Sequence, residues 1–111
     1  DQINVIEPTS YLETISLLKN ARAIMTDSGG IQKEAFFLQT PCLTLRDETE
    51  WVETIDCGAN QLVGIDKKIT AQAIEKIFSG KWEANFSATP YGSGNAADSI
   101  IKILTNNSTL I

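Results

Sequence analysis

Thr26-Asp27-Ser28-Gly29-Gly30-Ile31-Gln32-Lys33-Glu34 follows the apolar run Ala23-Ile24-Met25 and leads into Ala35-Phe36-Phe37-Leu38. An apolar strand that breaks at Ser-Gly-Gly and restarts as a helix leaves the first turn's backbone N–H groups without internal partners. Two glycines take side chains away from that turn, so a ligand can approach the backbone itself. The helix adds about half a positive charge at the same end, which makes the turn a ready anion seat. Glu34 stands roughly 9 Å further along the axis from Ser28, at about 1.5 Å per residue. That separation suits a nucleotide diphosphate on the turn with its ribose diol on the carboxylate. The same residues equally describe a plain strand–turn–helix connection with Asp27 or Ser28 as the N-cap. Neither the Gly-x-x-x-x-Gly-Lys nor the Gly-x-Gly-x-x-Gly spacing is present.

Working outward, Asn4-Val5-Ile6 reads as a short buried strand ended by Glu7-Pro8. Ser10 with Glu13 forms a capping box, and Leu12, Ile15 and Leu17 or Leu18 give the following helix its apolar face through about Asn20. Ala23 to Thr26 is the next strand, and Ile31 to about Gln39 the helix after the glycine turn, stopped by Pro41. Cys42 to Leu45 and Gln61 to Ile65 are further strands, separated by a charged loop and a short helix between Asp47 and Gly58. Thr70 opens a helix with Ile74, Ile77 and Phe78 on one side. Gly80 to Gly94 is irregular, and Ala96 to Leu104 is a helix with Ala97, Ile100, Ile101 and Leu104 on one stripe. Alternating strands and helices imply right-handed crossovers: an α/β, Rossmann-like, mostly parallel sheet with helices on both faces. In such sheets ligands bind beyond the carboxyl ends of the strands, where both the Ser28 turn and Arg46 to Glu50 fall.

Composition narrows the chemistry. A chain of 111 residues has room for one domain, and 42% hydrophobic with 21% charged residues fits a soluble globular fold. A net charge of −5 argues against nucleic-acid and anionic-membrane surfaces, so any phosphate site is local. No apolar run approaches the ~18 residues of a membrane span, and no signal peptide is visible. Cys42 and Cys57 make no disulfide framework and suit a reducing cytoplasm. The absence of histidine removes a Ser-His-Asp triad and the usual zinc ligand, so no metal is expected. The chain starts at Asp1 and its one methionine is Met25, which reads as a piece of a longer protein. Asn85-Phe86-Ser87 and Asn107-Ser108-Thr109 are chance matches to glycosylation sequons.

The stretch Thr26 to Ala35 closely resembles the signature of the non-hydrolysing UDP-N-acetylglucosamine 2-epimerases. The match continues through Pro41, Leu45-Arg46-Asp47, Thr49-Glu50, Glu53, Asn60, Leu62-Val63-Gly64 and Pro90-Tyr91-Gly92. It runs in order over nearly the whole chain. The resemblance implies a GT-B architecture of two Rossmann-like domains, with residues 1–111 a single UDP-binding subdomain in the C-terminal domain. It further implies that Ser28, Gly29 and Gly30 hold the diphosphate and Glu34 the uridine ribose. The family's reaction eliminates UDP to a 2-acetamidoglucal and re-adds it with C2 inverted, without metal or redox cofactor, for bacterial surface polysaccharide. Its catalytic carboxylates and histidine lie in earlier segments, so no catalytic residue is carried onto this chain. A missing N-terminal domain, a UDP-sugar substrate and a homodimeric full-length protein are the implied partners.

Two departures stand out. Many members read Thr-Glu-Arg-Pro-Glu where this chain has Thr49-Glu50-Trp51-Val52-Glu53, which is more like the branch acting on UDP-2,3-diacetamido-glucuronic acid. Gln39-Thr40 replaces a common helix-ending glycine, a local capping change. Arg46, Glu50 and Trp51 are further candidate substrate contacts. Each has a plainer role as well: an ion pair of Arg46 with Asp47, Glu50 or Glu53, Glu50 and Glu53 on a solvated helix face, Trp51 packed under the loop. Tyr91 and Trp82 read as packing a returning segment against the other domain, and Cys42 as core filler. A GT-B glycosyltransferase and a non-catalytic nucleotide-binding module are the alternative functions.

Overall fold

A computed structural model describes residues 2–106. Three parallel strands, β1 (Ile24–Thr26), β2 (Cys42–Thr44) and β3 (Asn60–Leu62), lie side by side in that order. The register is straight across, Met25 opposite Leu43 and Leu43 opposite Gln61. Helices α1 (Tyr11–Asn20), α2 (Gly29–Phe37), α3 (Val52–Asp56), α4 (Lys67–Phe78) and α5 (Ala96–Asn106) complete the fold. Side chains alternate across a strand, so the sheet feeds two cores. On one face Ile24 and Cys42 pack with Leu18 of α1 and Ala35 of α2. On the other, Leu43 packs with Val63 and with Ala73 and Ile77 of α4. The expected parallel sheet with helices on both faces is therefore present. Leu43 is fully buried at its centre, worth about 1.5–3 kcal/mol of transfer free energy.

The ends of the elements follow local chemistry. Ser10 and Glu13 form both halves of the α1 capping box, the Ser10 N–H donating to Glu13 Oε2 at 2.8 Å. α4 starts at Lys67, earlier than the expected Thr70, because the Asp66 carboxylate caps it by accepting from the Ile69 N–H at 2.9 Å. Phe78, expected on its buried side, is 54% exposed, with Arg22 stacked 4.0 Å from its ring centre. α2 ends in a Schellman pair, Thr40 N–H to Ala35 C=O at 3.0 Å and Gln39 N–H to Phe36 C=O at 3.1 Å. Gln39 holds the left-handed position at φ 60°, where a glycine is ordinarily found.

One expected element is corrected. Asn4-Val5-Ile6 is not a strand: Val5 is 92% exposed, and the segment finds no hydrogen-bonded neighbour among the described residues. An extended segment without a ladder partner cannot be a strand, whatever its propensity. At the other end α5 forms as expected but buries none of its residues. These two features stretch the chain, whose radius of gyration is 17.5 Å against about 13 Å for a compact domain of this size. The sequon at Asn107 lies outside the described residues.

Candidate functional site at the start of helix α2

The turn after β1 carries the site. Ser28, not Asp27, is the N-cap of α2, its Oγ accepting from the Ile31 N–H at 3.4 Å. The Ser28 N–H is held by Thr26 Oγ1 at 3.0 Å, which ties the cap to the strand. Gly29 and Gly30 are the first helical residues, so their N–H groups have no acceptor within the helix. Glu34 lies on the following turns, half-buried, its carboxylate with no hydrogen bond or ion pair among the described residues. Ser28, Gly29 and Gly30 thus form the N-terminus of α2 at the carboxyl edge of the sheet, and Glu34 stands further along the same helix.

The loop after β2 folds over this turn. Leu45 N–H donates to Thr26 C=O at 2.8 Å, extending the β1–β2 ladder toward Arg46. Arg46 pairs with Glu50 at 3.3 Å rather than with Asp47 or Glu53. Glu50 Oε1 stands against Gly29, and Trp51 Nε1 lies 3.4 Å from the place a β-carbon on Gly29 would take. Trp51 Nε1 is buried and has no hydrogen-bond partner among the described residues. A buried donor without an acceptor is costly, and this one faces the glycine turn. Asp47 turns the other way, its Oδ1 lying beside Gly64 in a recess of about 420 Å³ shared with Arg46, Val63 and Asp66. A larger recess, about 580 Å³, lies apart at the free edge of β3, where Trp82 Nε1 also lacks a partner among the described residues.

The expectation that Glu50 and Glu53 share a solvated helix face is corrected: Glu50 lies on the loop before α3 and Glu53 within it. Glu53 on α3 accepts from the Tyr91 hydroxyl at 3.3 Å. Burial, then the Glu53 charge, pushes the Tyr91 phenol up to about 12. Tyr91 and Trp82 pack within this chain: the Tyr91 ring meets Phe36 and Trp51 edge-on, each at 5.9 Å, and Trp82 lies on the Leu43 core. Lys33 Nζ sits 4.6 Å from the centres of both the Trp51 and Tyr91 rings, a cation–π clamp that sequence reading missed.

Also missed is a buried polar network beneath the site. Gln32, Thr44 and Thr54 are fully buried and Asn60 is 3% exposed. Gln32 Oε1 accepts from Thr49 Oγ1 at 2.6 Å and from Asn60 Nδ2 at 3.2 Å, while its Nε2 donates to Ser28 C=O at 3.3 Å. Asn60 also donates to Thr54 Oγ1 at 3.2 Å and accepts from Thr44 Oγ1 at 2.7 Å. The visible signal was a Gln among Ile31, Ala35 and Phe36 on the inner face of a helix, where an unbonded amide is unfavourable.

Fold and turn together define a Rossmann-like α/β unit of the kind that forms the C-terminal domain of GT-B proteins. The chain belongs to the UDP-N-acetylglucosamine 2-epimerase family, whose profile matches residues 1–105. It is 46% identical over 106 residues to the UDP-N-acetylglucosamine 2-epimerase of Methanocaldococcus jannaschii, covering 94% of this chain and 28% of that protein. It is 42% identical to the UDP-2,3-diacetamido-2,3-dideoxy-D-glucuronate 2-epimerase of Pseudomonas aeruginosa, covering 93% and 28% respectively. A solved M. jannaschii UDP-GlcNAc 2-epimerase, in complex with UDP-GlcNAc and UDP, superposes with a TM-score of 0.78 at 46% identity, over 92% of this chain and 27% of that one. The chain spans little more than a quarter of the length of these relatives.

Proposed function

We infer that residues 1–111 are the UDP-binding portion of an enzyme that inverts C2 of a UDP-linked N-acetyl sugar for surface-polysaccharide synthesis. The observation that carries this reading is the α2 N-terminus: the unpartnered Gly29 and Gly30 amides, the unpartnered Trp51 Nε1 above them, and Glu34 further along the helix. The diphosphate sits on Ser28, Gly29 and Gly30, and Glu34 accepts from the ribose diol. Arg46, released from Glu50, and the Trp51 indole N–H add donors to the same phosphates. In the reaction the C2 proton leaves, the C1–oxygen bond breaks and UDP departs; re-addition of UDP and of a proton on the opposite face gives the epimer. Positive charge at the helix end stabilises the departing diphosphate, help worth about 3–4 kcal/mol in comparable anion holes. Proton removal falls to residues outside this chain, which has no histidine.

The relative from P. aeruginosa and the Trp51 substitution support a narrower reading, in which the sugar is a 2,3-diacetamido uronate. Two free thiols suit a cytoplasmic enzyme, and homodimerisation of the full-length protein is open to light scattering. The test is deuterium incorporation. Full-length protein incubated with UDP-N-acetylglucosamine or the diacetamido uronate in deuterated water places deuterium at C2, whereas residues 1–111 alone do not. No exchange by the full-length protein on either sugar rejects the epimerase assignment in favour of a GT-B transferase or a binding module.

A further inference from the structure

We propose that Gln32 is a positioning residue that locks the Thr49–Trp51 segment to the Ser28 turn, so that both meet a nucleotide diphosphate as one rigid seat. The proposal rests on the nucleotide reading of the turn given above. Each hydroxyl in the network has one proton, and each proton has one direction. Thr49 gives its proton to Gln32 Oε1 and takes the Trp51 N–H at 3.1 Å. Thr54 gives its proton to Trp51 C=O at 2.6 Å and takes one from Asn60 Nδ2. Thr44 gives its proton to Asn60 Oδ1. With Asn60 Nδ2 and Thr49 both donating to Gln32 Oε1, its Nε2 is left to face Ser28 C=O. Flipping the Gln32 amide sets its NH2 against Asn60 Nδ2 and its oxygen against Ser28 C=O, and flipping Asn60 sets its oxygen against Gln32 Oε1.

The result is a closed path. It runs from Ser28 through Gln32 to Thr49 and Trp51, and back to Gln32 through Thr54 and Asn60. Core packing alone does not call for an amide on the inner face of α2, where an apolar side chain would fill the space without needing partners. Gln32 sends one end of its amide to the turn and the other to the loop and β3, and thereby fixes the distance between the Gly29 backbone and the Trp51 indole.

The experiment compares three variants of the full-length protein by UDP calorimetry and thermal melting. Gln32→Met keeps length and volume but removes both ends of the link. Thr49→Val removes the loop end. Thr44→Val breaks the far end of the network without touching turn or loop. Gln32→Met weakens UDP binding at least about fivefold at a temperature where the protein is folded. Thr44→Val lowers the melting temperature but leaves UDP affinity within about twofold. The double variant Gln32→Met/Thr49→Val binds UDP no more weakly than Gln32→Met alone, because both remove one link. UDP affinity of Gln32→Met within about twofold of wild type, or losses that track melting temperature alike in all variants, overturns the proposal. Should Gln32→Met fail to fold, Thr49→Val carries the same threshold. Wild-type protein that binds no UDP overturns the nucleotide reading itself, and this inference with it.

Discussion

Glu50 Oε1 rests against Gly29 at the positive end of α2, too close for a β-carbon at that position to fit unless it moves. A carboxylate there neutralises part of the helix-end charge and competes with any incoming anion. Glu50 is half exposed and its pairing with Arg46 is worth less than about 1 kcal/mol, so it swings aside readily. Gly29→Ala forces that movement and places a methyl group at the proposed diphosphate seat. Gly29 has an ordinary helical φ, so alanine leaves the melting temperature unchanged or slightly higher. UDP binding falls by about tenfold or more in calorimetry. Unchanged UDP affinity would place the diphosphate elsewhere.

The Glu34 carboxylate has no hydrogen bond or ion pair to lose among the described residues. Hydrogen bonds from a ribose diol to its carboxylate are worth about 1.5–3 kcal/mol each. Glu34→Ala in the full-length protein therefore weakens UDP at least about tenfold with little change in melting temperature. Equal calorimetric affinity in mutant and wild type removes Glu34 from the site.

Trp51→Phe keeps a ring against Tyr91 and Lys33 but deletes the unpartnered Nε1–H. A donor that gains its acceptor only from ligand shows up in binding, so KM for the UDP-sugar rises about three- to tenfold with kcat little changed. On the proposed diacetamido-uronate reading, full-length wild-type protein prefers that sugar over UDP-N-acetylglucosamine in kcat/KM. Comparable values on the two sugars would strip Trp51 of its role as a branch marker.

Gln39 holds a left-handed backbone at φ 60° that costs a side-chain-bearing residue about 1 kcal/mol or more. Gln39→Gly relieves the strain at some cost in unfolded-chain entropy and stabilises by roughly 0.5–1 kcal/mol. Denaturant melts should show a higher midpoint with UDP affinity unaltered; a lower midpoint contradicts the strain argument.

Burial pushes the Cys42 thiol up to about 11, with a weaker opposing contribution from Thr44. The folded state keeps its proton where the unfolded chain has lost it, so stability is complete below the ordinary thiol range and falls as pH rises from about 9 to about 11. The loss is on the order of 2–3 kcal/mol. Cys42→Ala flattens that alkaline limb. At pH 8 iodoacetamide modifies half-buried Cys57 well before Cys42.

Much of this protein was written in local sequence. The Ser10–Glu13 cap, the strand-to-helix break at Ser28-Gly29-Gly30 and the apolar runs of β1 and β2 each rest on interactions a few residues long, so the α/β reading needed no tertiary knowledge. Residue order alone also carried the family likeness. Contacts between distant segments were a different matter. Asn4-Val5-Ile6 has strand composition, yet a strand exists only with a neighbour to bond. Gln32 and Asn60 are 28 residues apart and Gln32 and Thr49 are 17, and a hydrogen-bond direction between them has no sequence period. Arg46 had four acidic residues within seven positions, and loop geometry selected Glu50. Local spacing encodes caps, turns and faces because those forces act within a helical turn or two. Which buried amide meets which hydroxyl is decided only when the sheet brings β1, β2 and β3 into register.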